Sequence, residues 1–454
     1  MRTVSDSLGS IEVPQDALYG AQTQRAVNNF TISARPMPAL FLRNLARIKA
    51  AAARANRHCG VLDAQRAEAI EKVALAVVAG AHLDQFPVPV IQTGSGTSSN
   101  MNMNEVLAHL AGVSALVDVH PNDHVNCSQS SNDVIPACIQ LSALVMLQDT
   151  LLPALERLVE CIRARAKELD GVVKTGRTHL MDAMPLTLGQ ELDAWATQLA
   201  ECADRLGECI PRLRQLPIGG SAVGTGVNVP AGFAARTVSE LAILSGLELG
   251  LASSPFARMA GQDVALECSS GLRALAAVQT KVANDLRWMS SGPLAGLAEI
   301  ELEALQPGSS IMPGKVNPVL PEAVLMAAAQ VYGNDTSIAL AAQSGNFQLN
   351  VMLPIIADRL LDSLELTAGA CDALARTVQG FKVNKERLET QLAANPILVT
   401  ALNRRIGYEL AARIAKRCFD ERRPVLDVAA EETDLDREDL AELLDPRRLT
   451  EPPG

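Results

Sequence analysis

The chain has 454 residues, a length that suits about three domains of roughly 150 residues and excludes small stapled scaffolds. Its 40 Lys and Arg against 51 Asp and Glu leave a net charge of −11 with no long basic run, which argues against nucleic acid or an anionic membrane as partner. Hydrophobic residues make up 48% but aromatics only 3%, so the core must come from Ala, Leu, Val and Ile, which suits closely packed helices.

Up to about Asn132, short helical stretches alternate with loops rich in Gly, Ser, Thr, Asn and Pro. From Leu141 to Leu169 the pattern changes: Leu144, Leu147, Leu151, Leu155, Leu158, Ile162, Ala166 and Leu169 recur at three- and four-residue steps, a helical period that persists despite Pro153. Val264, Leu272, Leu275, Val282, Leu286 and Met289 repeat it before Ser-Ser-Gly-Pro at 290–293 stops the helix. A third helix is expected from Ala323 to about Val331, and a fourth from Leu349 to Val378 with an interruption at Pro354. Several of these helices are apolar on more than one face, so burial against other subunits is expected. The stretch after about Glu386 is shorter and more charged, with Glu431, Glu432, Asp434, Asp436, Glu438 and Asp439 near its end, and reads as a small solvated helical domain. The organisation expected is 1–129, a mixed helix and loop domain; 130–386, a long-helix bundle; and 387–454, a small helical domain.

The nine cysteines are scattered without a CxxC pair, which points to a reduced, cytoplasmic protein. The first residues carry no apolar leader, and about 18 uninterrupted apolar residues occur nowhere, so a soluble, unexported chain is expected.

Four polar loops are too elaborate for connectors: Gln92–Asn100, His120–Asp133, Gly176–Leu180 and Gly308–Pro318. Their short hydroxyl and amide side chains, with main-chain N–H groups, are the donors that hold small carboxylates or phosphates. In Gly308-Ser-Ser-Ile-Met-Pro-Gly-Lys-Val-Asn-Pro318 two glycines and two prolines allow a sharply bent backbone. Ser309, Ser310, Lys315 and Asn317 supply a hydroxyl base, a cation and an amide. That set suits carbanion chemistry, because proton removal beside a carboxylate creates a second negative charge that fixed donors must absorb. No GxSxG, dinucleotide fingerprint or Walker A sequence is present. His120 and His124 have the i, i+4 spacing of a helical metal pair, but Pro121 follows His120 and no HExxH occurs, so neither a metal nor a cofactor is expected.

Together with Asp6-Ser-Leu-Gly, Tyr19-Gly-Ala-Gln-Thr-Gln-Arg25, Thr400-Ala-Leu-Asn and Ile406-Gly-Tyr408, these loops resemble the aspartase/fumarase superfamily over nearly the whole chain. Gln92-Thr-Gly-Ser-Gly-Thr97, His179 and Gly314 resemble the class II fumarate hydratases in detail, where aspartases carry Gly-Gly-Ala-Gly-Thr, Gln and Ala. The resemblance implies a mainly α, three-domain fold with a central bundle of long helices, assembled as a homotetramer with a twenty-helix core. Its active sites would be shared by three subunits and act on a small dicarboxylate. By the same resemblance Ser309 would be the base that takes the C3 proton of (S)-malate, with Ser310 as the alternative hydroxyl. His179, paired with Glu322, would orient or protonate the leaving water. Ser95, Thr97, Ser130, Ser131, Asn132, Thr178, Lys315 and Asn317 would bind the two carboxylates, and His120, Asn122 and Asp123 a second dicarboxylate. Gly219–Gly226 also matches, as a tight loop.

Some positions depart from the usual pattern. Cys127 and Leu294 stand where basic residues are common, and Asn403-Arg-Arg-Ile406 replaces an Asn-Pro form. Two alternatives therefore stay beside a metal-independent fumarate hydratase: a lyase releasing fumarate from another succinyl compound, such as aspartate, and a non-catalytic relative.

Overall fold

The computed structural model of the chain describes residues 1–451; among them helices predominate and strands form only short two-stranded pairs. Two compact units emerge, each gathered from three stretches: 1–153, 204–276 and 329–368 in the first; 154–203, 277–328 and the chain from 369 onward in the second.

In the first unit a hairpin of β1 (Arg2–Asp6) and β2 (Gly9–Val13) precedes α1 (Ala21–Asn29), α2 (Ala39–His58), α3 (Ala64–Val78) and α4 (Thr97–Ala115). In α2 the residues Leu45, Ile48, Ala50, Ala51, Ala52 and Ala55 are fully buried. Such small side chains let neighbouring helices approach closely, which is how a core almost without aromatics is filled. Helix α2 packs against α3 and α4, and also against α5 (Ser131–Met146).

The helix expected from Leu141 begins ten residues earlier. Ser130 accepts the Asn132 N–H (3.2 Å) and Asp133 returns a bond to the Ser130 N–H (3.0 Å), a reciprocal cap that starts α5 inside a stretch whose composition reads as loop. After Met146 the helix widens into a π turn at Leu147–Leu151 before α6 (Leu152–Glu168). The wide turn accommodates Pro153, which has no N–H for the Asp149 carbonyl and crowds it in a regular helix. By length and composition the run from Ser131 to Glu168 is long and apolar enough to cross a membrane, but 72% of its most apolar window is buried within the protein, as in a core helix.

In the second unit α6 leads to the hairpin β3 (Val173–Thr178) and β4 (Met181–Thr187), followed by α7 (Leu188–Gly207). The chain then passes through α8 (Ile210–Leu213), α9 (Phe233–Ser245), which packs on α2, α10 (Pro255–Ala260), α11 (Asp263–Met289), α12 (Val319–Ala342) and α13 (Leu353–Gly380). Helix α11 stops before Ser290, as the sequence predicts. Helix α12 runs eleven residues past Val331, through Gly333-Asn334-Asp335. Composition marks that stretch as a stop, but Asn334 is buried and donates to Asp362 (2.8 Å) and Ser363 (3.1 Å), and Asp335 takes Ser269 (2.8 Å) and Arg273 (2.7 Å). Tertiary partners thus replace the local bonds these residues make in turns. Pro354 does not interrupt a helix: it is the second residue of α13, where its missing N–H costs nothing.

Beyond α13, α14 (Lys385–Ala393), α15 (Asn403–Ile406), α16 (Tyr408–Glu421), α17 (Val425–Glu432) and α18 (Arg437–Leu443) close on an apolar cluster that includes Leu402, Ile414, Val428 and Leu440. The acidic end of this region is not simply solvated. Glu431 and Glu432 pair with Arg417, and Glu431 also with Arg423.

Candidate active site

The loop before α4 is pinned by one side chain. Gln92 donates to Pro89 O (2.7 Å) and to Ser99 Oγ (2.8 Å) and accepts the Ser99 N–H (3.0 Å), so residues 93–98 are thrown outward as a tight bow. A Cβ on Gly94 would lie 1.7 Å from Val351 O, so only glycine fits against that backbone. Within the bow Ser95 Oγ and Thr97 Oγ1 are 2.8 Å apart, and Ser95 is nearly buried.

The 120–133 segment contributes two further groups. His120 caps a π-helical turn at Pro121–Val125. Its Nδ1 accepts the Asp123 N–H (3.2 Å) and lies 3.1 Å from Asp123 Oδ2, while its own N–H donates to His124 Nδ1 (2.7 Å). Each histidine is thus turned toward its own turn rather than outward as a metal pair. At the start of α5, Ser130 serves as cap, Asn132 donates to Ala222 O (2.8 Å), and Ser131 Oγ accepts from Asn100 Nδ2 (3.1 Å). With its oxygen accepting from Asn100, the Ser131 hydroxyl still has its own proton to donate.

Behind these residues lies a buried polar network that sequence reading passed over. Lys49, fully buried on α2, donates to Asn126 Oδ1 (3.0 Å) and Gln129 Oε1 (3.1 Å). Asn126 Oδ1 also takes Asn100 Nδ2 (3.1 Å) and Asn104 Nδ2 (3.2 Å). Asp133, equally buried, accepts the N–H groups of Gly219 (3.0 Å) and Ser221 (2.9 Å), which ties the Gly219–Gly226 loop to α5. Burial holds the Lys49 ammonium down to about 7 and pushes the Asp133 carboxyl up to about 6. The only signal of Lys49 in the sequence is a lone cation followed by Ala50-Ala-Ala-Ala53.

The Lys49 shift makes a stability statement. Above pH 7 the folded chain has released a proton that the unfolded chain keeps up to about 10, so stability must rise with pH across that window. Urea midpoints of the protein are expected to increase between pH 6.5 and 8.5, and those of Lys49→Met to stay level. Parallel slopes would refute it.

In the second unit, β3 and β4 are joined by a two-residue turn: Thr178 pairs with Met181, leaving His179 (φ 56°) and Leu180 (φ 63°) both left-handed. Turns of this type normally use Asn and Gly, and two non-glycine residues at positive φ cost about 1–2 kcal/mol each. The strain holds His179 at the exposed tip. Beneath it the hairpin is clamped by charge. Glu299, 1% exposed, lies 2.8 Å from Lys174 Nζ and 2.7 Å from Arg177 Nη2, and Lys174 also reaches Glu191 (2.7 Å). Neither Glu299 oxygen makes an aligned hydrogen bond, so the clamp acts through charge proximity.

The 308–318 loop closes on itself. Gly308 N–H donates to Lys315 O (2.8 Å), and Asn317 Nδ2 donates to Gly308 O (2.6 Å). A Cβ at Gly308 would come within 2.4 Å of Lys315 O, which makes glycine obligatory there. Inside the loop Ser309 Oγ accepts the N–H groups of Ile311 (3.2 Å) and Met312 (3.1 Å). Gly314, Lys315 and Asn317 line a cavity of about 630 Å³ together with Glu301, Lys382 and Asn384. Glu322 sits in the first turn of α12; among the described residues no hydrogen bond or ion pair joins it to His179.

Residues 9–333 match the lyase family model and residues 398–451 that of the fumarase C C-terminus. A class II fumarate hydratase of Pseudomonas aeruginosa is 55% identical over 99% of this chain and 98% of its own, and one of Xylella fastidiosa 54% identical over 99% and 95%. The chain belongs to the class II fumarate hydratases. The crystal structure of class II fumarase from Schistosoma mansoni superposes on this chain with a TM-score of 0.96 at 36% identity, covering 99% of each chain. The mainly helical aspartase/fumarase fold and the enzyme class implied by the sequence are therefore those observed.

The residues singled out from sequence form two sets. Ser95, Thr97, Ser130, Ser131 and Asn132, with His120, Asn122 and Asp123, belong to the first unit; Thr178, His179, Ser309, Ser310, Lys315, Asn317 and Glu322 belong to the second.

Proposed function

We propose that the protein interconverts (S)-malate and fumarate by anti elimination and addition of water, with Ser309 as the base. The observation that carries this reading is the Ser309 oxygen, which receives two main-chain N–H groups inside a self-closed loop. Two fixed donors lower the energy of an alkoxide, and Lys315 in the same loop adds positive charge. The alkoxide takes the C3 proton, and the C–H electron pair moves into the adjacent carboxylate to give an aci-carboxylate. Collapse of that intermediate forms the double bond and expels the C2 hydroxyl, which leaves as water with a proton supplied from the side of His179 and Glu322. Lys315 and Asn317 absorb the extra negative charge, while Ser95, Thr97, Ser130, Ser131, Asn132 and Thr178 hold the carboxylates. His120, Asn122 and Asp123, gathered on one surface turn, form a second dicarboxylate site.

The working form is a homotetramer whose sites draw on three subunits. Two observations support this: among the described residues no hydrogen bond or ion pair joins His179 to Glu322 within the single chain, and α12 exposes Met326, Tyr332 and Leu340 to solvent. The compartment is the cytoplasm, a reading supported by nine cysteines all in thiol form.

The test follows fumarate absorbance after addition of protein in metal-free buffer, with and without ammonia. Loss of absorbance without ammonia that stops at an equilibrium mixture is expected. Consumption that requires ammonia would move the assignment to an ammonia-lyase. Lys315→Ala is expected to lower turnover about a hundredfold or more, since one such donor contributes about 2.7–4 kcal/mol at the transition state. Sedimentation at the mass of a single chain would refute the tetramer.

A further inference from the structure

The network behind the 126–132 segment contains a group for which the proposed chemistry has no use. Lys49 is fully buried, its two bonds go to neutral amides, and among the described residues no carboxylate lies within ion-pairing distance. A buried cation without an acid partner is costly, and a neutral side chain of the same length fills the space at less expense. Its placement indicates what it does. Asn126 Oδ1 receives Lys49, Asn100 and Asn104, and Asn100 passes the connection on by donating to Ser131 Oγ. On the other branch, Gln129 takes Lys49 at its oxygen and donates from Nε2 to Val125 O (3.0 Å) and Cys127 O (3.1 Å). One ammonium thereby ties together the turn that leads into Ser130 and, through Asn126 and Asn100, the Ser131 oxygen.

We propose that Lys49 is a positioning residue for dicarboxylate binding, whose buried positive charge orders the 126–131 segment and attracts the dianion held by Ser131. The inference rests on the assignment of Ser130, Ser131 and Asn132 as carboxylate ligands. Its effect falls on binding more than on the chemical step, because the charge lies behind the ligands and not beside the reacting carbons. It is also gated by pH. Below about 7 the ammonium is charged; above that the amine is neutral, the field is gone and one donor is lost. The groups facing Lys49 are few. Helix α5 presents Asp133 and the Cys138 thiol, the 126–129 turn presents the amides of Asn126 and Gln129, α4 contributes the amides of Asn100 and Asn104 to the same network, and Arg47 lies on α2 itself. The carboxylates of Glu71 on α3 and Glu240 on α9 are engaged by Arg54. Burial pushes the Asp133 carboxyl up to about 6 and the Cys138 thiol far above the range measured.

The experiment measures fumarate KM and kcat, and succinate Kd by calorimetry, for the protein, Lys49→Met and His179→Asn between pH 6 and 8.5. Succinate carries both carboxylates but cannot be hydrated, so its affinity reports binding even where turnover is absent. Expected is a rise of about tenfold in KM and succinate Kd with pH, centred near 7 and kept in His179→Asn. Lys49→Met should show a pH-independent KM about tenfold above the unsubstituted value at pH 6, with kcat within about threefold. A folded Lys49→Met with the original KM at pH 6, or with the same rise, overturns the proposal. If that variant does not fold, the succinate profile of the unsubstituted protein decides: flat overturns it, a rise near pH 7 supports it. Failure to hydrate fumarate at all would remove the functional assignment instead, and the succinate titration would still decide the role of Lys49.

Discussion

Ser309→Ala is expected to lower kcat for fumarate hydration by about 10²- to 10⁴-fold, the range over which a positioned general base contributes, without change in the melting temperature. The neighbouring Ser310→Ala should remain within a few fold of the original. Both residues are serines in the same turn, and composition cannot separate them. The distinction is geometric: the Ser309 oxygen takes two N–H groups, from Ile311 and Met312, while the Ser310 hydroxyl is exposed and takes neither. An alkoxide forms where donors already point at the oxygen, because no reorganisation is then needed during reaction. Steady-state rates for the two variants, with circular dichroism as the check on folding, decide the matter. Equal losses in both, or a larger loss in Ser310→Ala, would transfer the base to the other hydroxyl.

Glu299→Ala is expected to cost about 3–5 kcal/mol of stability, the usual penalty for removing one partner from a buried ion pair. Two cations depend on this carboxylate. Lys174 is 3% exposed at its side chain and keeps Glu191 as a second partner, but Arg177, two residues before His179, loses the carboxylate it pairs with. Removal leaves positive charge buried under a turn whose two tip residues are already strained, so the hairpin register should loosen with the core. Chemical denaturation should therefore show a lower midpoint, and turnover measured well below that midpoint should also fall because His179 is no longer aimed. A midpoint within 0.5 kcal/mol of the original, the ordinary range for surface substitutions, would mean that solvent reaches the cluster. Glu299→Gln should lie closer to Glu299→Ala than to the original, since the clamp works by charge and not by aligned hydrogen bonds.

The two variants probe features of unequal visibility. The 308–318 loop can be read directly, because two glycines, two prolines and a string of polar residues have no packing role to play. The clamp cannot: Lys174, Arg177 and Glu299 are 125 positions apart at the extremes and look like ordinary surface charges along the chain. Helix α11 was legible for the same reason that α12 was not. The apolar period of α11 runs unbroken to a local stop at Ser-Ser-Gly-Pro, whereas α12 passes through Gly333-Asn334-Asp335 because Asp362, Ser363, Ser269 and Arg273 meet those side chains from elsewhere.

Local order determined the helical class, the low aromatic content of the core, the four polar loops and, through their residue types, the kind of reaction. Each depends on neighbours within a few positions, and those are fixed as soon as the chain is written. Folding alone decided that Ser130 begins a helix, that Ser309 and not Ser310 has its oxygen caged by N–H groups, that His179 stands on a left-handed turn, and that Lys49 lies buried behind Ser131. The first three are settled by partners within three positions, but several adjacent hydroxyls and polar residues compete for those bonds and the backbone of the folded chain selects among them; the burial of Lys49 depends on partners 77 and 80 positions away, which carry no mark of one another in the sequence.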